Sequence, residues 1–123
     1  IDKVSSVCDD IFCFETHVDL HTPETFAVSR FYRGEEYCRA ISNWTGATIG
    51  CYASWLKDAG FKHIFRTTWG PYKTDRRIFI ACKKDTHFDL FNKKADNVYL
   101  DDDFFKQVYN DTKYNFKNWS GKK

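Results

Sequence analysis

No stretch of about 18 consecutive apolar residues occurs in the chain, which excludes a membrane-spanning helix. Methionine is absent altogether. No cysteine pair has the C-x-x-C spacing, so zinc-ribbon and thioredoxin chemistry lose their usual ligands and redox pair. There is no G-x-S-x-G elbow and no glycine-rich phosphate loop, which removes the common hydrolase and nucleotide-binding signatures. Repeats, low-complexity tracts and linkers are missing as well. Charge is nearly balanced at +2, which neither requires nor forbids an acidic partner.

What the 123 residues do contain is one domain's worth of core. Aromatic residues make up 19%, with 12 Phe, 7 Tyr and 4 Trp, so large rings can stabilise a small fold by the area they bury. The five cysteines are Cys8, Cys13, Cys38, Cys51 and Cys82. An odd count allows two bridges and one leftover thiol, and 15 connectivities remain open. Three N-x-[ST] sequons begin at Asn43, Asn110 and Asn118. Together with a first residue, Ile1, that is not an initiator, they point to a processed, secreted, disulfide-stapled protein. The expectation is a single secreted domain over 1–123, with about 113–123 as a flexible basic tail.

The pattern along the chain predicts an α+β fold, with an antiparallel sheet of about four strands packed against three helices. Ile11 to Val18 alternates as a strand. Thr22-Pro23-Glu24 has the order of a helix start, and a stripe of Ala27, Phe31, Gly34, Cys38 and Ile41 follows it. A second helix is expected from about Ala47 to Ala59, closed by Gly60 with Phe61 as the apolar contact of a Schellman motif. Lys62 to Trp69 and Arg76 to Lys83 read as strands joined by a hairpin loop, the latter apolar on both faces like a central strand. Short strands at Phe88 to Phe91 and Val98 to Leu100 come next. Asp101-Asp102-Asp103 then starts a last helix with Phe104, Phe105, Val108 and Tyr109 as its buried side.

Candidate chemistry is sparse. His17-x-Asp19-x-His21 places two imidazoles and a carboxylate on one side of an extended strand. Its position at a strand end makes a polar turn the better reading, and no metal or other cofactor is assigned. A secreted ribonuclease would need an acid–base pair beside a cationic phosphate holder, and His63, His87, Arg66, Lys83 and Lys84 are the available parts. The run Cys82 to Asp89 resembles fragments of pancreatic-type ribonucleases, but fragments that lie far apart in that family, so no catalytic residue is assigned. The broader signal lies between Lys62 and Lys84, where seven cations face one acid with rings between them. Such a stretch suits an anionic partner. Arg66, Trp69, Tyr72, Lys73, Arg76 and Arg77 form the expected binding surface, since Trp, Tyr and Arg dominate binding hot spots.

The predicted order β-α-α-β-β-(β)-α, the aromatic richness and the cysteines Cys8, Cys13, Cys38, Cys51 and Cys82 resemble the small secreted effectors of plant-pathogenic fungi. In coarse architecture the chain is similar to the LARS family of avirulence effectors. The odd cysteine departs from that family's fully paired pattern. The resemblance implies a virulence role through binding of a host protein, with recognition by a host immune receptor, and no catalysis. It carries no functional residue with it. A secreted ribonuclease or ribonuclease-like nucleic-acid binder is the alternative, and a monomer is expected.

Overall fold

A computed structural model describes the backbone of residues 1–31, 45–70 and 75–120, with side chains except those of Asp2, Arg30, Phe31, Thr45 and residues 113–120. The elements in chain order are α1 (Asp2–Val7), β1 (Ile11–His17), β2 (Ser29–Phe31), β3 (Thr45–Ala47), α2 (Ile49–Asp58), β4 (His63–Thr67), β5 (Arg76–Cys82), α3 (Phe88–Asn92), β6 (Asn97–Tyr99) and α4 (Asp102–Ser120). A 3-10 turn over Asp85–His87 leads into α3. The main sheet is antiparallel with order β1-β5-β4-β6, and β2 pairs with β3 in a small second sheet. The fold is therefore α+β, as the sequence pattern implies.

Register decides which side chains share a face. Phe14 lies opposite Phe79, and Ile64 opposite Ala81, so Phe12, Phe14, Phe79, Ala81 and Ile64 share one face. With Val18, Ile49, Ala53, Leu56, Phe61 and Leu100 they build the larger core under α2 and α4. The Phe14 and Phe79 rings stack 5.2 Å apart at 13°. The opposite face carries Phe65, Ile80 and Cys82, covered by Phe88, Phe91 and Tyr99. Strand β5 is buried from both sides, which explains its unbroken apolar centre.

Helix α2 is closed at its end as the sequence predicts, and it starts at Ile49, two residues later than expected, behind a Thr48 cap. The Thr48 hydroxyl accepts the Cys51 N–H at 3.1 Å at its start. At its end Gly60 adopts φ 101°, the Gly60 N–H bonds to the Lys57 carbonyl, and the Phe61 N–H bonds to the Leu56 carbonyl at 3.2 Å. Those two bonds are the Schellman pair. Helix α4 starts where Asp101 accepts the Phe104 N–H at 2.9 Å.

Four expectations need correction. The helix expected from Thr22 does not form. Asp19 takes the His21 N–H at 2.9 Å and the Thr22 hydroxyl at 2.7 Å, so Thr22 donates instead of capping. Turns follow, then β2, while Gly34, Cys38 and Ile41 lie outside the described residues. The strand expected at Phe88 to Phe91 is α3, whose one turn sets Phe88 and Phe91 on the same side over the second core. Tyr109 is exposed on α4, whereas Val108 is buried. The helical backbone also continues through 113–120.

The expected disulfide staples are not shown. Cys8, Cys13, Cys51 and Cys82 are free thiols, and Cys38 lies outside the described residues. No helix among the described residues is long and apolar enough to cross a membrane.

Gly50 marks the tightest joint. Its N–H bonds to the Glu24 carbonyl at 2.8 Å, and a Cβ there would come within 2.4 Å of that oxygen. Gly50→Ala is therefore expected to lower stability by about 1–3 kcal/mol, read as a lower urea midpoint with an unchanged slope.

Candidate functional site

The cationic stretch from Lys62 to Lys84 is largely committed to internal partners. Arg66 sits on the helix-facing side of β4, its side chain 17% exposed, and pairs with Glu24 at 3.1 Å. Its Nε is buried without a hydrogen bond among the described residues. Arg76 pairs with Glu15, and Arg77 donates to the Arg76 carbonyl at 2.8 Å. Lys83 donates to the Ser5 and Cys8 carbonyls and lies 5.5 Å from the Phe61 ring centre. Trp69 is different. It follows β4, its carbonyl is held by the Thr67 hydroxyl at 2.7 Å, and its side chain is 46% exposed. Tyr72 and Lys73 lie outside the described residues. Of the expected surface residues, Trp69 follows the end of β4, and Arg76 and Arg77 begin β5 with side chains on opposite faces of the sheet.

Two of the four histidines, His63 and His87, form carboxylate pairs that sequence reasoning did not connect. His63 Nε2 meets Asp85 at 2.6 Å, and its Nδ1 meets the Tyr99 hydroxyl at 3.0 Å. Lys62 reaches the same Asp85 at 2.9 Å. His87 Nδ1 meets Asp10 at 2.7 Å, and the Lys84 N–H donates to Asp10 at 3.1 Å. These pairs fasten the Asp85–His87 turn to β4 on one side and to the segment before β1 on the other. The partners are 22 and 77 residues apart in sequence, and no local pattern marks them.

Electrostatics follow this geometry. Hydrogen bonds from His63 and then Lys62 hold the Asp85 carboxyl below its ordinary value. At Asp10, desolvation pushes upward, but the Lys84 N–H and the His87 ring outweigh it, and the net shift is downward. Burial, with Asp10, Cys13 and Cys8 nearby, pushes the Cys82 thiol up to about 11. Burial also raises Cys13 and Cys51. Such thiols are poor nucleophiles at neutral pH.

The His17, Asp19 and His21 trio does not act as a ligand set. Asp19 is buried and takes up the turn that follows it, while His17 lies across from Arg76. Among the described residues no three His, Cys, Asp or Glu side chains are grouped to hold a metal. Asn110 is exposed on α4, but the hydroxyl of its sequon partner Thr112 accepts the Ala27 N–H at 3.1 Å. Asn43 and the Asn118 side chain lie outside the description.

Comparison with known proteins finds no matching family model, no matching curated protein and no matching solved structure.

Asp10 and Asp85 make the fold acid-sensitive in a defined direction. Their folded values lie below 3.8, so the stabilisation is complete above that value and is lost as pH falls through the folded values. Urea midpoints at about pH 5 and about pH 2 measure this loss. Asp85→Asn is expected to lower the midpoint at the higher pH and to shrink the difference between the two.

Proposed function

We propose that the chain is a secreted effector that binds a host protein and performs no catalysis. The observation that carries the reading is the half-exposed indole of Trp69, just beyond the end of β4 in a sheet whose register is set by a packed core. Rings and guanidinium groups on a rigid frame are what binding hot spots use. The resemblance to small fungal effectors supports the host side of the proposal.

The rival reading, a ribonuclease, has one observation in its favour. Two imidazole–carboxylate pairs converge on the Asp85–His87 turn. Against it, both ring nitrogens of His63 are engaged and its side chain is only 13% exposed. A general base needs a ring nitrogen within reach of substrate.

The two readings separate in one set of variants. Binding to a host leaf extract is expected to fall in Trp69→Ala and to weaken with added salt in the parent chain. His63→Gln and His87→Gln are expected to leave binding intact, and the chain is expected to leave RNA uncut. RNA cleavage that disappears in either histidine variant would replace the effector reading by the ribonuclease.

Secretion belongs to the same proposal. In an oxidising compartment the five cysteines would supply two bridges and one thiol. Alkylation of the natural protein without reduction, read by intact mass, is expected to label one thiol. Five labelled thiols would place the chain in a reducing compartment and end the secretory reading.

A further inference from the structure

The outer strand β1 has an edge that no other strand covers among the described residues. Its register with β5 runs without a bulge from Ile11 to His17. Beyond the two ends the Lys83 N–H reaches the Asp10 carbonyl at 3.0 Å, and the Val18 N–H reaches the Asp75 carbonyl at 2.8 Å. Even-numbered residues therefore turn their backbone groups toward β5, and Ile11, Cys13 and Glu15 turn theirs outward. Among the described residues the Ile11 carbonyl accepts only the Cys8 thiol, a weak donor, at 3.3 Å. Free edges are commonly blunted by Lys, by Pro or by a bulge, and β1 has none of the three.

Apolar surface gathers at the same edge. Of the ten exposed large hydrophobic side chains among the described residues, Ile1, Val4, Val7, Ile11 and Trp55 lie around it. Ile11 belongs to β1 itself. Ile1 and Trp55 border the cleft that runs past Phe14, Glu15 and Thr16. Ile1, Val4 and Val7, three residues apart, share one side of α1. Exposed apolar surface beside an unpaired edge marks an interaction site.

The sequence of β1 is complementary to itself. When two copies lie antiparallel about Cys13, Phe12 of each falls opposite Phe14 of the other, and Ile11 opposite Glu15. Aromatic pairs across strands are favourable, and like charges directly opposite are not. The carboxylates stay apart in this register. Asp9 and Asp10, before the strand, come level with His17 and Thr16 of the second copy. Centring on Glu15 instead would set two Glu15 carboxylates against each other. The outward backbone groups of Ile11, Cys13 and Glu15 are then the ones that bond across the axis, with about six N–H···O bonds in all.

We propose that this chain forms a symmetric dimer through β1, joining the two four-stranded sheets into one continuous sheet about a two-fold axis at Cys13. The two-fold closes the assembly, because each free edge is used up by the other. The dimer takes the place of the monomer expected from the sequence. It uses the edge of β1 and not the end of β4 that Trp69 follows.

Sedimentation velocity of the reduced whole chain across a wide concentration range tests this, and twice the chain mass is expected at the upper end. Cys13 is exposed, and Cys13→Lys sets two ammonium groups opposite each other on the axis. That variant is expected to weaken association about fivefold or more, and Cys13→Glu to do the same. An equimolar mixture of the two places opposite charges across the axis and is expected to associate more tightly than either variant alone. Ile11→Lys, at a second exposed position on the edge, is expected to weaken association without a change on the axis. Leu90→Lys, at an exposed apolar position on α3, is the control and should leave the dimer unchanged. Near-UV circular dichroism of each variant is expected to match the parent. A parent chain of single mass throughout, unchanged association in both Cys13→Lys and Ile11→Lys, or an equal loss in Leu90→Lys would overturn the proposal. A mixture no tighter than its components would overturn the axis at Cys13.

Discussion

The central strand β5 imposes the main constraint. It has neighbours on both sides in the sheet and apolar side chains on both faces, so the sheet needs cover above and below. One cover is generous, since α2 and α4 lay Ile49, Ala53, Leu56 and flanking rings on the Phe14–Phe79 stack. The other is a 3-10 turn and the single short helix α3, which bring little beyond Phe88 and Phe91 to the Phe65, Ile80 and Cys82 face. So short a segment gains little from burial alone. Its turn is held by charged hydrogen bonds instead, from His63 and Lys62 to Asp85 and from His87 to Asp10.

That arrangement explains where the charges and the histidines have gone. A stretch rich in Lys and Arg looks like a surface for anions, but Lys62, Arg66, Arg76 and Lys83 each have an internal partner. His63 and His87 clasp this cover to the sheet and to the segment before β1. Two indoles are among the exposed large hydrophobic side chains. Trp69 stands at one end of the β4–β5 pair, and Trp55 stands over the free edge of β1.

Much of the fold is legible in the residues. The end of helix α2 is specified by Gly60-Phe61, because capping bonds are local and need no distant partner. The same holds for Asp101 before α4 and for the apolar centre of β5. Thr22-Pro23-Glu24 misleads because Asp19, only three residues earlier, captures the Thr22 hydroxyl that would have capped a helix. Phe88 to Phe91 misleads because four residues with rings at both ends suit a strand or one helical turn equally well.

The amino-acid sequence by itself determined the elements whose signals are local: the helix caps, the alternation of β1, and the depth of β5. Tertiary structure alone decided which carboxylate meets which imidazole, which cations find internal partners, and which rings meet edge to face. The physical reason is range. A cap is decided within about four residues, whereas an ion pair or an aromatic corner depends on strand order and register, which only the packed sheet sets.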